Sequence, residues 1–200
     1  MQEALTLAAG DRAGSPRQRL FFAVRLDEAA AAAAIAVPQA ADRGPRGHPV
    51  VAERLHITLH WLREHVELPP ELVKRAIAAG RSVEMDRFDV IFDRVESLGD
   101  AAQPGPLVLR SHDRLASLRR FQRGLAAAMT DAGIGEYVRS SFKPHVSLLY
   151  GGPFVASRPI APIRWAVSEL LLIRSVVGAG RHIELGRWPL ASRQAGCADW

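Results

Sequence analysis

A four-residue pattern of histidine, an aliphatic residue, a hydroxyl residue and leucine occurs twice in this chain. The first copy is His56-Ile57-Thr58-Leu59, and the second is His145-Val146-Ser147-Leu148. Aliphatic and β-branched residues surround both copies, which predicts that each lies in a β-strand. Because successive side chains of a strand point to opposite faces, each copy should present its imidazole and its hydroxyl on the same face.

The first copy lies in a segment, Arg54 to Leu62, in which apolar and polar residues alternate. The predicted apolar face consists of Leu55, Ile57, Leu59 and Trp61, and the polar face of His56, Thr58 and His60. This pattern is typical of a half-buried strand, and it makes His60 a candidate lining residue of a groove beside His56. A zinc site shared by these two histidines is disfavoured, because four residues along a strand separate their side chains by about 13 Å.

The second copy has two further candidate groove residues beside it, Lys143 and Tyr150. Lys143 has the same strand parity as His145, although Pro144 between them can interrupt the alternation. Tyr150 points away from His145 in a regular strand, which favours a core role over contact with a ligand. The remaining histidines are predicted to be structural or solvent-facing, and they are His48, His65, His112 and His182.

Strand-like and helix-like segments alternate along the chain, and the second half repeats the first in weak form. Strands are predicted at 19–26, 54–62, 87–95, 107–110, around His145, at 165–174 and at 181–185, and helices from Asp27, Pro70 and Asp113. Strands joined partly by hairpins and partly through helices predict an α+β fold of two packed lobes rather than one parallel sheet. The predicted division is a disordered N-terminus over 1–17, a two-lobed domain over 18–190 and a tail over 191–200.

Length and composition fit one compact domain in the cytoplasm. The chain has 200 residues, of which 48% are hydrophobic, enough to bury a sizeable core. Its one cysteine, Cys197, cannot build a disulfide framework or a cysteine metal site. No signal peptide and no membrane span is predicted. The formal net charge of +5 leaves two interpretations open, a polyanionic partner or a solvated basic surface.

The paired pattern indicates acid and base chemistry at a phosphate. Displacement at phosphorus needs a base on the attacking oxygen and an acid on the leaving oxygen. Histidine can take either role, because its ordinary pKa of about 6.5 leaves both forms accessible near neutral pH. Two such strands facing each other across a cleft would place one imidazole on each side of a phosphate, with hydroxyls on its free oxygens.

Four segments carry a resemblance to a known family, in the same order along the chain. They are Arg19-Leu-Phe-Phe-Ala-Val-Arg-Leu26, Arg54-Leu-His-Ile-Thr-Leu59 with Trp61-Leu62, Phe142-Lys-Pro-His-Val-Ser-Leu-Leu149, and Gly180-Arg-His-Ile-Glu-Leu185 with Arg187-Trp188-Pro189-Leu190. With them the chain resembles the 2H phosphoesterase superfamily. Within it, the chain is similar to the bacterial RNA 2',3'-cyclic phosphodiesterases, historically called 2'-5' RNA ligases.

This resemblance implies a fold of two pseudo-duplicated lobes of antiparallel sheet, with helices outside and a central cleft. It implies that His56 and His145 are catalytic and that Thr58 and Ser147 hold the substrate phosphate. The implied reaction opens a 2',3'-cyclic phosphate on RNA or on a nucleotide to a 2'-phosphate, in a monomer without metal or other cofactor. Joining of RNA ends through 2'-5' bonds would be the reverse reaction at the same site.

Two questions stay open at the level of sequence. The family pattern makes His145 the base and His56 the acid, but the two copies are nearly symmetrical and do not themselves fix which imidazole starts protonated. Many bacterial members have an arginine at the position of Tyr150, so the phosphate charge supplied from that position is in question. The alternative function is a binding module that holds RNA ends or nucleotides without turnover.

Overall fold

The structure, a computed structural model, describes residues 17–39 and 47–192. The predicted disordered N-terminus and C-terminal tail therefore lie largely outside the described residues. The strands are β1 Gln18–Arg25, β2 His48–Pro49, β3 His56–His65, β4 Phe88–Gly99, β5 Pro104–Arg110, β6 Val146–Tyr150, β7 Arg158–Val167, β8 Glu169–Val176 and β9 Arg181–Pro189. The α-helices are α1 Glu28–Gln39, α2 Pro70–Ser82 and α3 Ala116–Asp131.

These strands form two antiparallel sheets, which confirms the predicted α+β class. The first sheet has the strand order β3-β1-β8-β9, and the second has the order β2-β6-β5-β4-β7. Strands β3 and β6, which belong to the two copies of the histidine pattern, lie in different sheets. Each sheet therefore contributes one copy to the space between them.

The two lobes are not formed by consecutive halves of the chain. Strands β1 and β3 come from the start of the described chain, and they share the first sheet with β8 and β9 from its end. The second sheet is built from β2 and the middle strands β4 to β7. The chain therefore crosses from one lobe to the other more than once, which ties the two lobes together.

One of these crossings corrects a predicted element. The single strand predicted over 165–174 is two strands, because β7 ends at Val167 in the second sheet and β8 begins at Glu169 in the first. Ser168 lies at the junction, where its carbonyl accepts a hydrogen bond from the Leu190 amide at 2.8 Å. Apolar residues continue on both sides of the junction, so the sequence pattern shows no break there.

The helices begin where local capping or backbone geometry allows. The Asp27 side chain accepts a hydrogen bond from the Ala30 amide at 2.8 Å, as predicted for the start of α1. Helix α3 begins at Ala116 rather than at the predicted Asp113, because Leu115 has a left-handed conformation with φ 49°. No helix in the described ranges is both long and apolar enough to span a membrane.

Trp188 of strand β9 fixes the position of helix α2 against the first sheet. A Cβ atom added to Gly80 of α2 would lie 2.4 Å from the Trp188 ring, and one added to Gly186 would lie 2.3 Å from it. Such separations are far inside van der Waals contact. The indole therefore fills the space that these glycines leave, and Phe22 of β1 lies beside it with ring centroids 6.4 Å apart.

We expect alanine to have opposite effects at two helical glycines. Gly124→Ala in α3 should stabilise the protein by about 1 kcal/mol, because alanine favours helix and nothing lies within 4 Å of the added Cβ. Gly80→Ala should destabilise it by about 1 to 3 kcal/mol, because the indole must move. Urea unfolding measures both, and stabilisation by Gly80→Ala would contradict the packing of Trp188.

Candidate active site

A cavity of about 620 Å³ lies where the two sheets meet, and both copies of the histidine pattern open into it. Residues of the first sheet and of the segment before β3 form most of its wall, and they are Arg19, Phe21, Arg54, His56, Thr58, Trp61, Glu64, Ser175 and His182. The second sheet contributes His145 and Tyr150. Among the described residues, no three histidine, cysteine or acidic side chains are grouped so that they could hold a metal ion.

Both motif histidines are oriented by the same backbone contact. His56 Nδ1 lies 2.6 Å from the Arg54 carbonyl oxygen, and His145 Nδ1 lies 2.8 Å from the Lys143 carbonyl oxygen. A carbonyl oxygen can only accept, so each Nδ1 carries the hydrogen and donates. Nε2 is therefore the nitrogen of each ring that remains for a ligand. In His56, Nε2 also lies 3.1 Å from the Thr58 hydroxyl oxygen.

Each motif strand contains a β-bulge at the leucine of its tetrapeptide. In the pairing of β1 with β3, Phe22 and Ala23 pair with His60 and Thr58, so Leu59 is an extra residue. In the pairing of β5 with β6, Leu107 and Val108 pair with Leu149 and Ser147, so Leu148 is an extra residue. A bulge shifts the alternation by one residue, so side chains beyond it change faces.

The bulges bring one aromatic residue from each sheet into the cavity. Trp61 and Tyr150 each follow their histidine by five positions, are 46% and 48% exposed, and line the cavity. The predicted apolar face containing Trp61 and the favoured core role of Tyr150 are therefore wrong. The signal available in the sequence was the matching aromatic at the same offset from both histidines.

The same shift removes His60 from the cavity, so its predicted groove role is wrong. His60 is only 2% exposed, and its Nε2 lies 3.0 Å from both the main-chain oxygen and the side-chain nitrogen of Gln122 in α3. Burial lowers the pKa of His60 from its ordinary value. His60 therefore tethers the first sheet to α3.

Lys143 and Ser147 flank His145 but differ from the predicted arrangement in part. The Lys143 side chain is exposed and is not among those that line the cavity, because strand β6 begins only at Val146 and the alternation does not extend back past Pro144. The contribution of Lys143 is its carbonyl oxygen. Ser147 is half-buried two residues after His145, and it too is not among the side chains that line the cavity.

His182 of strand β9 was predicted to be structural or solvent-facing, and the structure places it in the cavity wall instead. Its ring centroid lies 5.3 Å from that of His56 and 5.6 Å from that of Phe21, in edge-on contact with both. Its Nδ1 is buried and has no hydrogen-bond partner among the described residues. The residues just before His182 in the sequence form an exposed turn, so the local pattern did not indicate that His182 lines a cavity.

Neighbouring side chains enclose the His56 ring. Phe21 stacks on its ring with centroids 5.0 Å apart and planes inclined by 21°. Burial is the main cause that lowers the pKa of His56 from 6.5 to about 4, and the charges of His145, Arg25 and Arg54 act in the same direction. Burial, together with the charge of His56, lowers the pKa of His182 to about 4. Both rings are therefore neutral at pH 7 in the free protein.

Comparisons with solved structures agree with this fold over nearly the whole chain. A crystal structure described as a phosphoesterase is 28% identical, with a TM-score of 0.68, and the match covers 88% of this chain and 99% of that chain. E. coli LigT complexed with 3'-AMP is 26% identical, with a TM-score of 0.71 and the same coverage of 88% and 99%. TT0787 of Thermus thermophilus is 25% identical, with a TM-score of 0.71, and again 88% and 99% of the two chains are covered.

The class of the protein follows from these likenesses together with the fold. No family model and no curated protein matches the chain, whereas the structural likeness extends across both lobes. The fold and these neighbours indicate a phosphoesterase. These neighbours support the 2H phosphoesterase superfamily, which the resemblance of the motif segments implied.

We expect the protein to lose stability as the pH falls from about 6.5 to about 4. In that window the unfolded chain binds protons at His56 and His182 whereas the folded chain does not, so the free energy of unfolding decreases as the pH falls. The part due to His56 is at most about 3 to 4 kcal/mol, because its pKa falls from 6.5 to about 4 and one pKa unit corresponds to about 1.4 kcal/mol. Urea unfolding at a series of pH values measures the slope.

Two variants separate this effect from general acid sensitivity. His182→Phe keeps an aromatic ring beside Phe21 but removes one of the two buried titratable groups, so its stability should depend less steeply on pH. His48→Gln changes an exposed histidine, and it should keep the slope of the wild type. A His182→Phe protein with an unchanged slope would contradict the burial of His182 in the cavity wall.

Proposed function

We propose that the protein hydrolyses 2',3'-cyclic phosphate ends of RNA or of nucleotides, using His56 and His145 as an acid and base pair. The observation that carries this proposal is the matched orientation of the two rings. Both lie in one cavity, both donate Nδ1 to a carbonyl oxygen two residues earlier, and both leave Nε2 for a ligand. Such a pair can supply the base and the acid for in-line displacement at phosphorus.

In the proposed reaction, His145 Nε2 accepts a proton from the attacking water as its oxygen bonds to phosphorus. The bond from phosphorus to the 3' oxygen breaks, and His56 Nε2 donates a proton to that oxygen. The product is a 2'-phosphate with a free 3' hydroxyl. Thr58 lines the cavity and would donate its hydroxyl to a non-bridging phosphate oxygen. Ser147, two residues after His145, would take the corresponding role, which requires its hydroxyl to turn toward the bound phosphate.

Because the pKa of His56 is low, the bound substrate must favour protonation of His56 in the proposed reaction. An acid must be protonated, whereas His56 is neutral at pH 7 in the free protein. Burial is the main cause of this low pKa and nearby positive charges add to it, and a phosphate anion between the two rings would stabilise the protonated ring, so binding should raise the pKa. Substrate binding and protonation of His56 are thus coupled, and binding should strengthen as the pH falls.

The nucleotide class of the substrate is supported by the neighbours and by the aromatic residues. LigT has been solved as complexes with 3'-AMP, ATP and NADP+. Trp61 and Tyr150 are exposed aromatic side chains that line the cavity from different sheets. Aromatic rings in such positions can stack with nucleobases. We therefore propose that one base lies against each ring, with the phosphate between the histidines.

The alternative function is a binding module that holds such ends without turnover. Both proton-transfer groups are present and oriented, which favours the enzyme. Loss of either group would typically reduce the rate by about 10²- to 10⁴-fold. Assay of the purified protein on a panel of 2',3'-cyclic nucleotides and cyclic-ended oligonucleotides distinguishes the two. Chromatography against 2'- and 3'-phosphate standards then identifies the product.

We expect His56→Ala and His145→Ala each to reduce kcat by at least about 10²-fold, with the double variant little worse than the poorer single. The effects are not additive, because the two rings serve one proton-transfer event. The assay should contain a chelator, which we expect to leave wild-type activity unchanged. His112→Ala, at a side chain that is 76% exposed, is the matched control. A folded His145→Ala protein with wild-type kcat would exclude the mechanism.

We expect Trp61→Ala and Tyr150→Ala to discriminate between short and long substrates. A cyclic mononucleotide has one base and can use one ring, whereas a cyclic-ended dinucleotide can use both. One variant should therefore affect both substrates, and the other only the dinucleotide, each by about 5- to 100-fold in kcat/KM, as expected for one stacked base. Trp61→Phe and Tyr150→Phe should retain most activity. Equal losses on both substrates for both variants would exclude two separate base sites.

A further inference from the structure

Arg54 contributes its side chain to the cavity wall as well as the carbonyl oxygen that orients His56. We propose that its guanidinium binds the substrate phosphate directly and supplies the permanent positive charge of the site. This inference rests on the proposed function, because it concerns the same cavity and the same phosphate. It adds a charged anchor to the two histidines and two hydroxyls already considered.

The Arg54 side chain is placed and left unpaired in a way that suits an anion. It is half-buried and lines the cavity. Its Nε is buried without a hydrogen-bond partner among the described residues. A buried donor without an acceptor is costly, and a charged donor more so. A phosphate oxygen in the cavity would supply the acceptor.

Three other arginines of this region, unlike Arg54, form ion pairs with carboxylates. Arg19 Nε lies 2.8 Å from the Glu64 carboxylate, and Arg17 approaches the same carboxylate at 3.5 Å. Arg25 forms an ion pair with Glu184. Within the described part of the chain, Arg54 forms no ion pair. Of the two arginines that line the cavity, Arg19 and Arg54, Arg54 is therefore the one without a carboxylate partner among the described residues.

The reach of the Arg54 side chain places its charge beside both buried histidines. Its Nη1 lies 3.8 Å from where a Cβ of Gly180 would be, so the guanidinium extends from the start of β3 to the turn before β9. Its positive charge lowers the pKa of both His56 and His182. A phosphate bound there would contact the same region of the cavity as the His56 ring.

The direct test compares the binding of 3'-AMP and of adenosine, which differ by the phosphate. Calorimetric titration of Arg54→Gln should show 3'-AMP binding weakened by about 10- to 100-fold, as for a lost charged hydrogen bond, with adenosine binding unchanged. Arg54→Lys keeps the charge without the planar fork and should be intermediate. Arg181→Gln removes an equal charge from an exposed position on β9, outside the cavity lining, and should bind 3'-AMP like the wild type.

Two further measurements distinguish a ligand contact from a structural role. Arg54→Gln should be at least as stable as the wild type in thermal melts, because no ion pair is broken and a buried charged donor without an acceptor is removed. Its 3'-AMP affinity should also depend less on salt than that of the wild type. In NMR titrations of the free protein, the variant should show a higher pKa for His56.

The outcomes separate this inference from the proposed function. Wild-type-like binding of 3'-AMP by Arg54→Gln, an equal loss of adenosine binding, or absence of saturable 3'-AMP binding by the wild type would each overturn the role of Arg54. A wild type that binds 3'-AMP through Arg54 but turns over no cyclic phosphate would overturn the proposed function alone. Turnover with an unaffected Arg54→Gln variant would overturn the anchor alone.

Discussion

The bulge at the leucine of each motif shapes the whole cavity. A regular strand would send every second side chain to the core, so either the hydroxyl or the aromatic residue three positions later could face the ligand, but not both. With Leu59 and Leu148 as extra residues, each strand buries two neighbouring side chains and then returns its aromatic residue to the cavity. The six residues from each histidine consequently have the same order of half-buried, buried and exposed positions.

This shared backbone geometry explains which parts of the site the sequence could predict. The tetrapeptides predicted strands with the imidazole and hydroxyl on one face, and that arrangement depends only on local alternation before the bulge. Three of the assignments that failed, His60, Trp61 and Tyr150, lie beyond it, whereas Lys143 lies before Val146, where strand β6 begins. A bulge depends on how a strand pairs with its neighbour, and the alternation of apolar and polar residues within the strand does not predict that pairing.

The fold shows the same division between local and long-range information. The α+β class, the cap at Asp27 and most element positions followed from periodicity and capping residues. The strand break at Ser168 did not, because it depends on β7 and β8 joining different sheets. His182 was missed for the same reason. Its neighbours in sequence belong to a turn, whereas its neighbours in space are Phe21 and His56.

The surroundings of the two histidines differ although their backbone contacts match. His56 packs between Phe21 and His182, with arginines nearby, whereas His145 has no aromatic ring stacked on it among the described residues. A duplicated motif gives two groups of equal chemistry, but acid and base catalysis needs two groups of unequal protonation. Any difference between the two rings must therefore come from the walls around them. Strands from both ends of the chain enclose His56 on the first sheet alone, and this enclosure favours the neutral ring. Under the proposed roles, the acid form of His56 therefore depends on the bound phosphate.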